Sequence, residues 1–226
     1  MYTIDDVMSR LTEWRDLPSY QLERRVDIFF SLYLSEALQK HFGMPFSEIV
    51  IPEFPVHQRL TKAVPPKGAY SDKIDYVVPA ADKSVVVFVE LKTDMESRRV
   101  CQDAIMGSVE KCSFEEILAG LVDIARKTKK REKYGYLLDL LKATGYLKIP
   151  PGLGKRGWLQ ALGEVEITAP EIRIETAYVQ PNREKDSDQN VIDFKTFASI
   201  VNQHSDEVST AFAKALKAWI KPPGLD

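Results

Sequence analysis

The feature that most constrains the fold is a run of five apolar residues that ends in an acid and a base. Val85–Val89 leads directly into Glu90, Leu91 and Lys92. No polar residue alternates with the apolar ones, which is typical of a strand covered on both faces. Side chains of a strand point alternately to its two faces, so Glu90 and Lys92 share one face and Leu91 lies on the other. We therefore expect a buried strand that ends with a carboxylate and an ammonium at the rim of the core, both partly desolvated.

Segments on either side of this run predict further strands and helices. Residues 73–78 and 84–92 predict a hairpin, and alternation over 171–181 predicts another strand. Residues 48–60 predict an edge strand at best, because Pro52 and Pro55 cannot donate to a ladder. Helical spacing occurs over 3–15, 18–40, 97–112, 191–203 and 205–220, and over 114–146 as a pair of helices. This order predicts one mixed α/β domain over residues 1–226, with 113–149 as a helical excursion within it.

Residues typical of helix ends predict several boundaries. Thr3, with Asp6 three positions later, forms the pattern of a capping box at the first helix. Gly43 predicts the end of the long second helix. Ser205 predicts the N-cap of the last helix.

Composition narrows the functional classes. With 31 Lys and Arg against 33 Asp and Glu, the formal net charge of −2 argues against a general nucleic-acid coat but leaves a local basic groove open. No apolar stretch reaches the roughly 18 residues of a membrane span, which predicts a cytoplasmic protein without membrane contact. Cys101 and Cys112 suit a reducing compartment rather than a disulfide framework. The three histidines form no spaced cluster with them, which argues against a zinc site.

The predicted hairpin brings a second carboxylate toward the end of the buried strand. Pairing around a loop at 79–83 would place Asp75 within one or two residue pairs of Glu90, where cross-strand neighbours are roughly 5–8 Å apart. Two carboxylates suit Mg²⁺, which prefers oxygen ligands and is usually held by one or two carboxylates and a substrate phosphate. Lys92 would orient the attacking water and offset negative charge on a phosphoryl oxygen. For the Glu90–Lys92 pair taken alone, the alternative is a surface ion pair at a strand end.

Three segments together resemble the PD-(D/E)XK, or restriction-endonuclease-like, nuclease superfamily. They are SDKIDYVV (71–78), VVVFVELKTD (85–94) and SRRVCQDAIM (97–106), with a looser likeness at QLERRVDIFF in the front helix and IETAYVQP in the late strand. Ile74 stands where the motif has a proline. The resemblance implies a restriction-endonuclease-like α/β fold, in which helices flank a mixed central sheet. It also implies Mg²⁺-dependent phosphodiester cleavage.

The resemblance implies roles for particular acids. Asp75 corresponds to the motif aspartate, and Glu90 with Lys92 corresponds to the E-x-K pair. In many members an acid of the front helix joins the metal site. Glu23 is the candidate here, with Asp27 one turn later as the fallback. Mg²⁺, or Mn²⁺ as its substitute, would then be held by Asp75, Glu90 and Glu23.

Residues outside the acidic set give candidates for substrate contacts. Gln102 resembles the glutamine that some members carry on the helix after the E-x-K strand. Arg98 and Arg99 follow that strand closely, and Lys129 and Lys130 belong to the basic stretch RKTKKREK. Such side chains bind the phosphate backbone of nucleic acids. A solvated charge run between two helices is the alternative for the two lysines.

Three functional hypotheses follow. The first is a Mg²⁺-dependent nuclease, with DNA favoured over RNA as its substrate. The second is a catalytically inactive protein of the same fold that binds nucleic acid or a protein partner. The third is an unrelated α/β protein with an accidental E-x-K triplet. The presence of all three motif residues favours the enzyme. The apolar stripe of Phe212, Leu216 and Trp219 predicts core packing, with a homodimer interface as the alternative.

Overall fold

Helices and short strands alternate along the chain. The computed structural model describes residues 2–61, 71–95, 98–150, 157–169, 171–183 and 190–220. The helices are α1 (Ile4–Trp14), α2 (Glu23–Phe42), α3 (Gln58–Thr61), α4 (Val100–Val109), α5 (Phe114–Lys127), α6 (Arg131–Ala143), α7 (Trp158–Gly163), α8 (Phe194–Val201) and α9 (Glu207–Trp219). The strands are β1 (Ile51–His57), β2 (Ser71–Pro79), β3 (Val85–Leu91), β4 (Leu147–Lys148), β5 (Glu166–Ile167), β6 (Arg173–Gln180) and β7 (Val191–Asp193). No helix among the described residues has the length and apolar character needed to cross a membrane.

Five strands form one mixed sheet in the order β1-β2-β3-β6-β7, and β4 pairs separately with β5. β1 and β2 are antiparallel, whereas β6 and β7 are parallel. The Arg173 N–H donates to the Ser84 carbonyl at one end of β3 and β6, and the Lys92 N–H donates to the Val179 carbonyl at the other. These two strands therefore run parallel. The predicted α/β class, with a mixed sheet flanked by helices, is confirmed.

Strand β3 has the properties that its apolar run predicts, since all of its residues are buried. The hairpin before it is also present, because β2 ends at Pro79 and the Ala80 N–H donates to the Val85 carbonyl at 2.8 Å. β1 lies at the edge of the sheet, as predicted. An edge strand tolerates Pro52 and Pro55 better than a central strand, because only alternate N–H groups of an edge strand face a neighbouring strand.

The predicted helix caps are correct at two of three positions. Thr3 and Asp6 form the capping box of α1, and Gly43 ends α2 in the left-handed conformation with φ 70°. The N-cap of α9 is Asp206 rather than Ser205, so that prediction is wrong by one residue. Both residue types cap helices well, and the Asp206 carboxylate also complements the positive end of the helix dipole.

Other boundaries differ more from the predictions. α2 begins at Glu23, several residues after the predicted start. The first three residues of the helix predicted over 191–203 form strand β7, because Asp193 caps α8 and starts the helix at the next residue. The sequence pattern did not predict α3, α7, β4 or β5, and α3 begins within the segment 48–60 that was predicted to be extended.

The helix after β3 is shorter than predicted. α4 spans Val100–Val109, and residue 97, the predicted start, lies outside the described residues. Cys101 and Cys112 therefore do not share one helix, and neither forms a disulfide bond.

The chain groups into two compact units. Unit A comprises Met1–Phe46, Val89–Arg99 and Ala177–Asp226, and unit B comprises Ser47–Phe88 and Val100–Thr176. The predicted single domain over residues 1–226 stays a prediction.

Aromatic rings form the core of unit A. Phe30 of α2 contacts Phe194 and Phe197 of α8 and Phe212 of α9, with ring centroids 5.1 to 5.4 Å apart. These contacts fix α2, and with it the helix start that carries Glu23, against two other helices. All members of the predicted stripe are buried, which confirms core packing for Phe212, Leu216 and Trp219.

Unit B has its own row of aromatic rings. Phe54 of β1 contacts Phe88 of β3, which contacts Phe114 of α5, which contacts Tyr146. The ring pairs meet edge to face, with centroids 5.0 to 6.3 Å apart. This geometry suits the charge distribution of aromatic rings. α5 and α6 lie within residues 113–149 and belong to this unit, and their description as a helical excursion from a single domain stays a prediction.

The buried hydroxyl of Tyr146 predicts a loss of stability at alkaline pH. Burial, reinforced by the negative charge of Asp82, raises the pKa of Tyr146 to about 12. The folded chain therefore favours the neutral phenol more than the unfolded chain does, where the pKa is about 10. The resulting stability is fully present below about pH 10 and is lost as the pH rises toward 12.

Urea unfolding should show that the free energy of unfolding falls more between about pH 9 and about pH 11 in the wild type than in Tyr146→Phe. At neutral pH the same substitution should change stability little, because the hydroxyl finds no hydrogen-bond partner among the described residues. Equal alkaline losses in the two proteins would contradict the assignment.

Candidate active site

The end of β3 carries a buried acid and a buried base in direct contact. The Lys92 Nζ lies 3.1 Å from Glu90 Oε2 and donates to the Leu91 carbonyl at 2.7 Å. Both charged residues are only 2% exposed. The two side chains therefore share one face of the strand, as the sequence predicts, but they are buried more deeply than a position at the rim of the core implies.

A second carboxylate reaches the same ammonium from a different element. Glu23 Oε2 lies 3.5 Å from Lys92 Nζ, and the Glu23 side chain is 31% exposed. Glu23 is the first residue of α2, where the positive end of the helix dipole favours a carboxylate. Asp27, the fallback candidate, lies exposed one turn later. We call Glu23, Glu90 and Lys92 the β3 cluster.

Strand pairing shows which further side chains share the face of the β3 cluster. Because the Lys92 N–H bonds to the Val179 carbonyl in a parallel pair, Gln180 is aligned with Lys92 and Tyr178 with Glu90. Aligned residues of neighbouring strands point to the same face of a sheet. Tyr178 and Gln180 therefore stand beside the β3 cluster.

Arg98 is held close to this face by an aromatic ring. Its guanidinium carbon lies 4.3 Å from the centre of the Tyr178 ring, within the range of a cation–π interaction. Stacking on an aromatic ring restricts the orientation of the planar guanidinium. Arg99, the other candidate next to it in the sequence, is exposed.

The β3 cluster combines opposite charges in unequal number. Its formal charges are two carboxylates against one ammonium, an excess of one negative charge. The low dielectric of a buried position strengthens the attraction between these groups and any cation that reaches them. Glu23 is the most exposed member of the β3 cluster, with a side chain that is 31% exposed, whereas Glu90 and Lys92 are buried.

Four predicted site residues belong to unit B. Asp75 lies half-buried on β2, and Gln102 lies half-buried on α4. Lys129 and Lys130 are exposed between α5 and α6. Their predicted roles, including the role of Asp75 as a metal ligand, stay predictions.

Metal-ligating side chains do not form a larger cluster in the part of the chain that the structure describes. Within it, no group of three or more His, Cys, Asp or Glu side chains is arranged to hold a metal ion. Mg²⁺ needs fewer protein ligands than this, because water and substrate phosphates complete its coordination. The β3 cluster supplies two carboxylates, which is within the usual number.

Comparisons of the chain with protein-family models, with curated proteins and with solved structures find no match. Function therefore has to be argued from the chemistry of the site itself.

Sequence reasoning missed Tyr178 and Gln180 as neighbours of the β3 cluster. Their alternation on the strand predicted over 171–181 already places them on one face of that strand. Which strand they adjoin, and in which register, depends on pairing between segments nearly 90 positions apart along the chain, since Lys92 is aligned with Gln180. Hydrophobic periodicity holds no information about this pairing.

Removing the Lys92 ammonium should destabilise the fold strongly. Lys92→Met leaves Glu90 buried without this cation, which typically costs about 3–5 kcal/mol of unfolding free energy. The double variant Lys92→Met/Glu90→Gln should recover part of this loss, since it no longer buries a lone charge. Urea denaturation measures both values.

Lys148→Met is the matched control, because Lys148 pairs with Glu166 at 3.0 Å on the exposed surface. The free energy of unfolding of Lys148→Met should fall by no more than about 1 kcal/mol. Similar losses in Lys92→Met and Lys148→Met would contradict a strongly coupled buried pair.

Proposed function

We propose that the chain is a Mg²⁺-dependent nuclease that hydrolyses phosphodiester bonds, with DNA favoured over RNA. The supporting observation is the β3 cluster, in which Glu23 and Glu90 converge on the buried Lys92 ammonium. The cluster lies at the carboxyl end of β3, next to the carboxyl end of the parallel strand β6, and α/β proteins commonly bind ligands at such an edge. The proposal includes a restriction-endonuclease-like fold and an activity on nucleic acid in the cytoplasm. A homodimer remains a prediction.

The donor set of the β3 cluster fits Mg²⁺. Carboxylate oxygens are its preferred protein ligands, and Glu90 and Glu23 would hold it, with Asp75 as the predicted third ligand. When bound, the ion polarises a phosphoryl oxygen and lowers the pKa of a coordinated water. A buried carboxylate and a half-exposed one together give a fixed ligand and an accessible one.

Lys92 supplies the positive charge that hydrolysis requires. The water oxygen forms a bond to phosphorus, the bond from phosphorus to the leaving sugar oxygen breaks, and the proton lost by the water ends on that leaving oxygen. The products are a phosphate monoester and a free hydroxyl. Negative charge grows on the phosphoryl oxygens during this step, and a fixed ammonium in a desolvated position stabilises it.

Arg98 supports nucleic acid as the substrate class. Its guanidinium is oriented by the Tyr178 ring, which stands on the same face as Glu90. A planar guanidinium binds phosphate oxygens with two parallel hydrogen bonds. A phosphate next to the scissile one would contact Arg98 while the scissile phosphate lies at the β3 cluster.

A specific observation favours the second hypothesis, an inactive protein of this fold that binds nucleic acid or a protein partner. The Lys92 ammonium donates to the Leu91 carbonyl and lies within 3.5 Å of carboxylate oxygens of Glu90 and Glu23, so groups of the protein already compensate its charge. In that case the β3 cluster is a structural ion pair. Binding would then survive removal of the metal, and no bond would be cut.

Cleavage of labelled single- and double-stranded DNA and RNA, with Mg²⁺ or Mn²⁺ and with a chelator, distinguishes the two hypotheses. The enzyme should cut only with metal, and Glu90→Gln should lose at least about 100-fold in rate because a ligand and a fixed charge are lost. Asp75→Ala tests the predicted third ligand in the same assay. Asp139→Asn removes an exposed carboxylate and serves as the control.

Calorimetric titration with Mn²⁺ completes the experiment. Wild type and Asp139→Asn should bind the ion equally, and Glu90→Gln and Asp75→Ala should bind it more weakly. Cleavage that persists in Glu90→Gln would contradict the nuclease proposal. An absence of both metal binding and cleavage in the wild type would equally contradict it.

A further inference from the structure

Gln180 is a deeply buried polar side chain that stands beside the β3 cluster. It is 1% exposed and is the last residue of β6. Its Nε2 donates to the Asn182 carbonyl at 2.7 Å. Because a carbonyl accepts but cannot donate, this bond fixes which end of the amide is the nitrogen. The other end, Oε1, is therefore a hydrogen-bond acceptor.

The Oε1 atom of Gln180 is buried and has no hydrogen-bond partner among the described residues. A buried acceptor without a partner destabilises a fold, and such groups in native proteins are usually satisfied by an ordered water. The Gln180 Oε1 atom therefore requires a hydrogen-bond donor. A water molecule is the smallest donor that fits a buried position.

The pairing of β3 with β6 fixes the side of the sheet on which this acceptor lies. Gln180 is aligned with Lys92, so both side chains leave the sheet on the same face. Gln180 is also aligned with Asp193 of β7 on its other side. The carboxyl ends of β3, β6 and β7 thus carry a row of three polar side chains, with Gln180 in the middle.

We propose that Gln180 is a positioning residue, whose Oε1 accepts a hydrogen bond from the water that attacks the phosphodiester at the β3 cluster. This inference rests on the proposed nuclease function. A water beside the cluster has two protons to donate, one to Gln180 Oε1 and one to a carboxylate. With both protons held, its lone pair has a defined direction, which is what an in-line attack on phosphorus requires.

The choice of residue fits this role. A neutral amide holds the water without adding another negative charge next to two carboxylates. The bond from Nε2 to the Asn182 carbonyl prevents the amide from rotating away. A glutamate would accept the same hydrogen bond but would also bind a cation, and a methionine would keep the length without a strong acceptor.

Kinetics of Gln180→Met test the proposal. With Mg²⁺ and a DNA substrate, kcat should fall by about 10- to 100-fold while KM stays within about twofold, because the residue orients water and does not bind substrate. Gln160→Met changes an exposed glutamine on α7 and should leave both constants unchanged. The Mn²⁺ affinity of Gln180→Met should match that of the wild type, whereas its urea midpoint should fall modestly, because the Asn182 carbonyl loses a hydrogen-bond donor.

Calorimetric Mn²⁺ titration of Gln180→Glu gives a readout that does not depend on cleavage. The variant adds a carboxylate on the face of Lys92, so its Mn²⁺ affinity should rise by at least about fivefold, whereas Gln160→Glu should show no gain.

The outcomes separate this inference from the proposed function. A wild type that cleaves, with a Gln180→Met variant that cleaves at the same kcat, overturns the role of Gln180 alone. A Gln180→Met variant that loses stability and Mn²⁺ binding together also overturns it, because the amide is then structural. An unchanged Mn²⁺ affinity in Gln180→Glu shows that the side chain does not face the cluster and overturns the inference as well. A wild type without any cleavage overturns both proposals.

Discussion

Burying an ammonium or a carboxylate away from water costs free energy, and the end of β3 buries one of each within three residues. Desolvation opposes each charge, so the pair of Glu90 and Lys92 persists only because mutual attraction and additional hydrogen bonds compensate. Lys92 obtains them from the Leu91 carbonyl and from the carboxylates of Glu90 and Glu23. Two apolar residues of similar size would stabilise the strand at least as well. Stability alone therefore does not explain the two charges, and this supports the proposed chemistry at this position.

The parallel packing of β3, β6 and β7 decides which side chains surround this pair. Their carboxyl ends lie together, so Lys92, Gln180 and Asp193 form one row along the edge of the sheet. The aromatic core beneath α2 fixes the helix start that carries Glu23. The Tyr178 ring positions Arg98 on the same face. One buried charge pair thus has a half-exposed carboxylate, an oriented guanidinium and a buried amide around it, and each comes from a different part of unit A.

Local sequence patterns were sufficient to predict the features that depend mainly on residues close together in the chain. The uninterrupted apolar run predicted the buried strand, alternation placed Glu90 and Lys92 on one face, and the glycine at position 43 ended α2. Local signals did not distinguish between adjacent residues with similar properties. At the start of α9, for example, serine and aspartate are both good N-caps. The short strand before α8 was also missed, because valine and isoleucine fit a helical spacing as well as a strand. The neighbours of the β3 cluster depend on long-range register, which becomes visible only in the folded chain.

The most direct test is the anomalous scattering of Mn²⁺ in crystals of the wild-type protein. A Mn²⁺ peak that contacts carboxylate oxygens of both Glu90 and Glu23 would show that the β3 cluster is a divalent-cation site. Crystals of Glu90→Gln grown under the same conditions should lack this peak. Wild-type crystals saturated with Mn²⁺ in which the Lys92 ammonium still lies between the two carboxylates, with no peak beside them, would contradict a metal-dependent site.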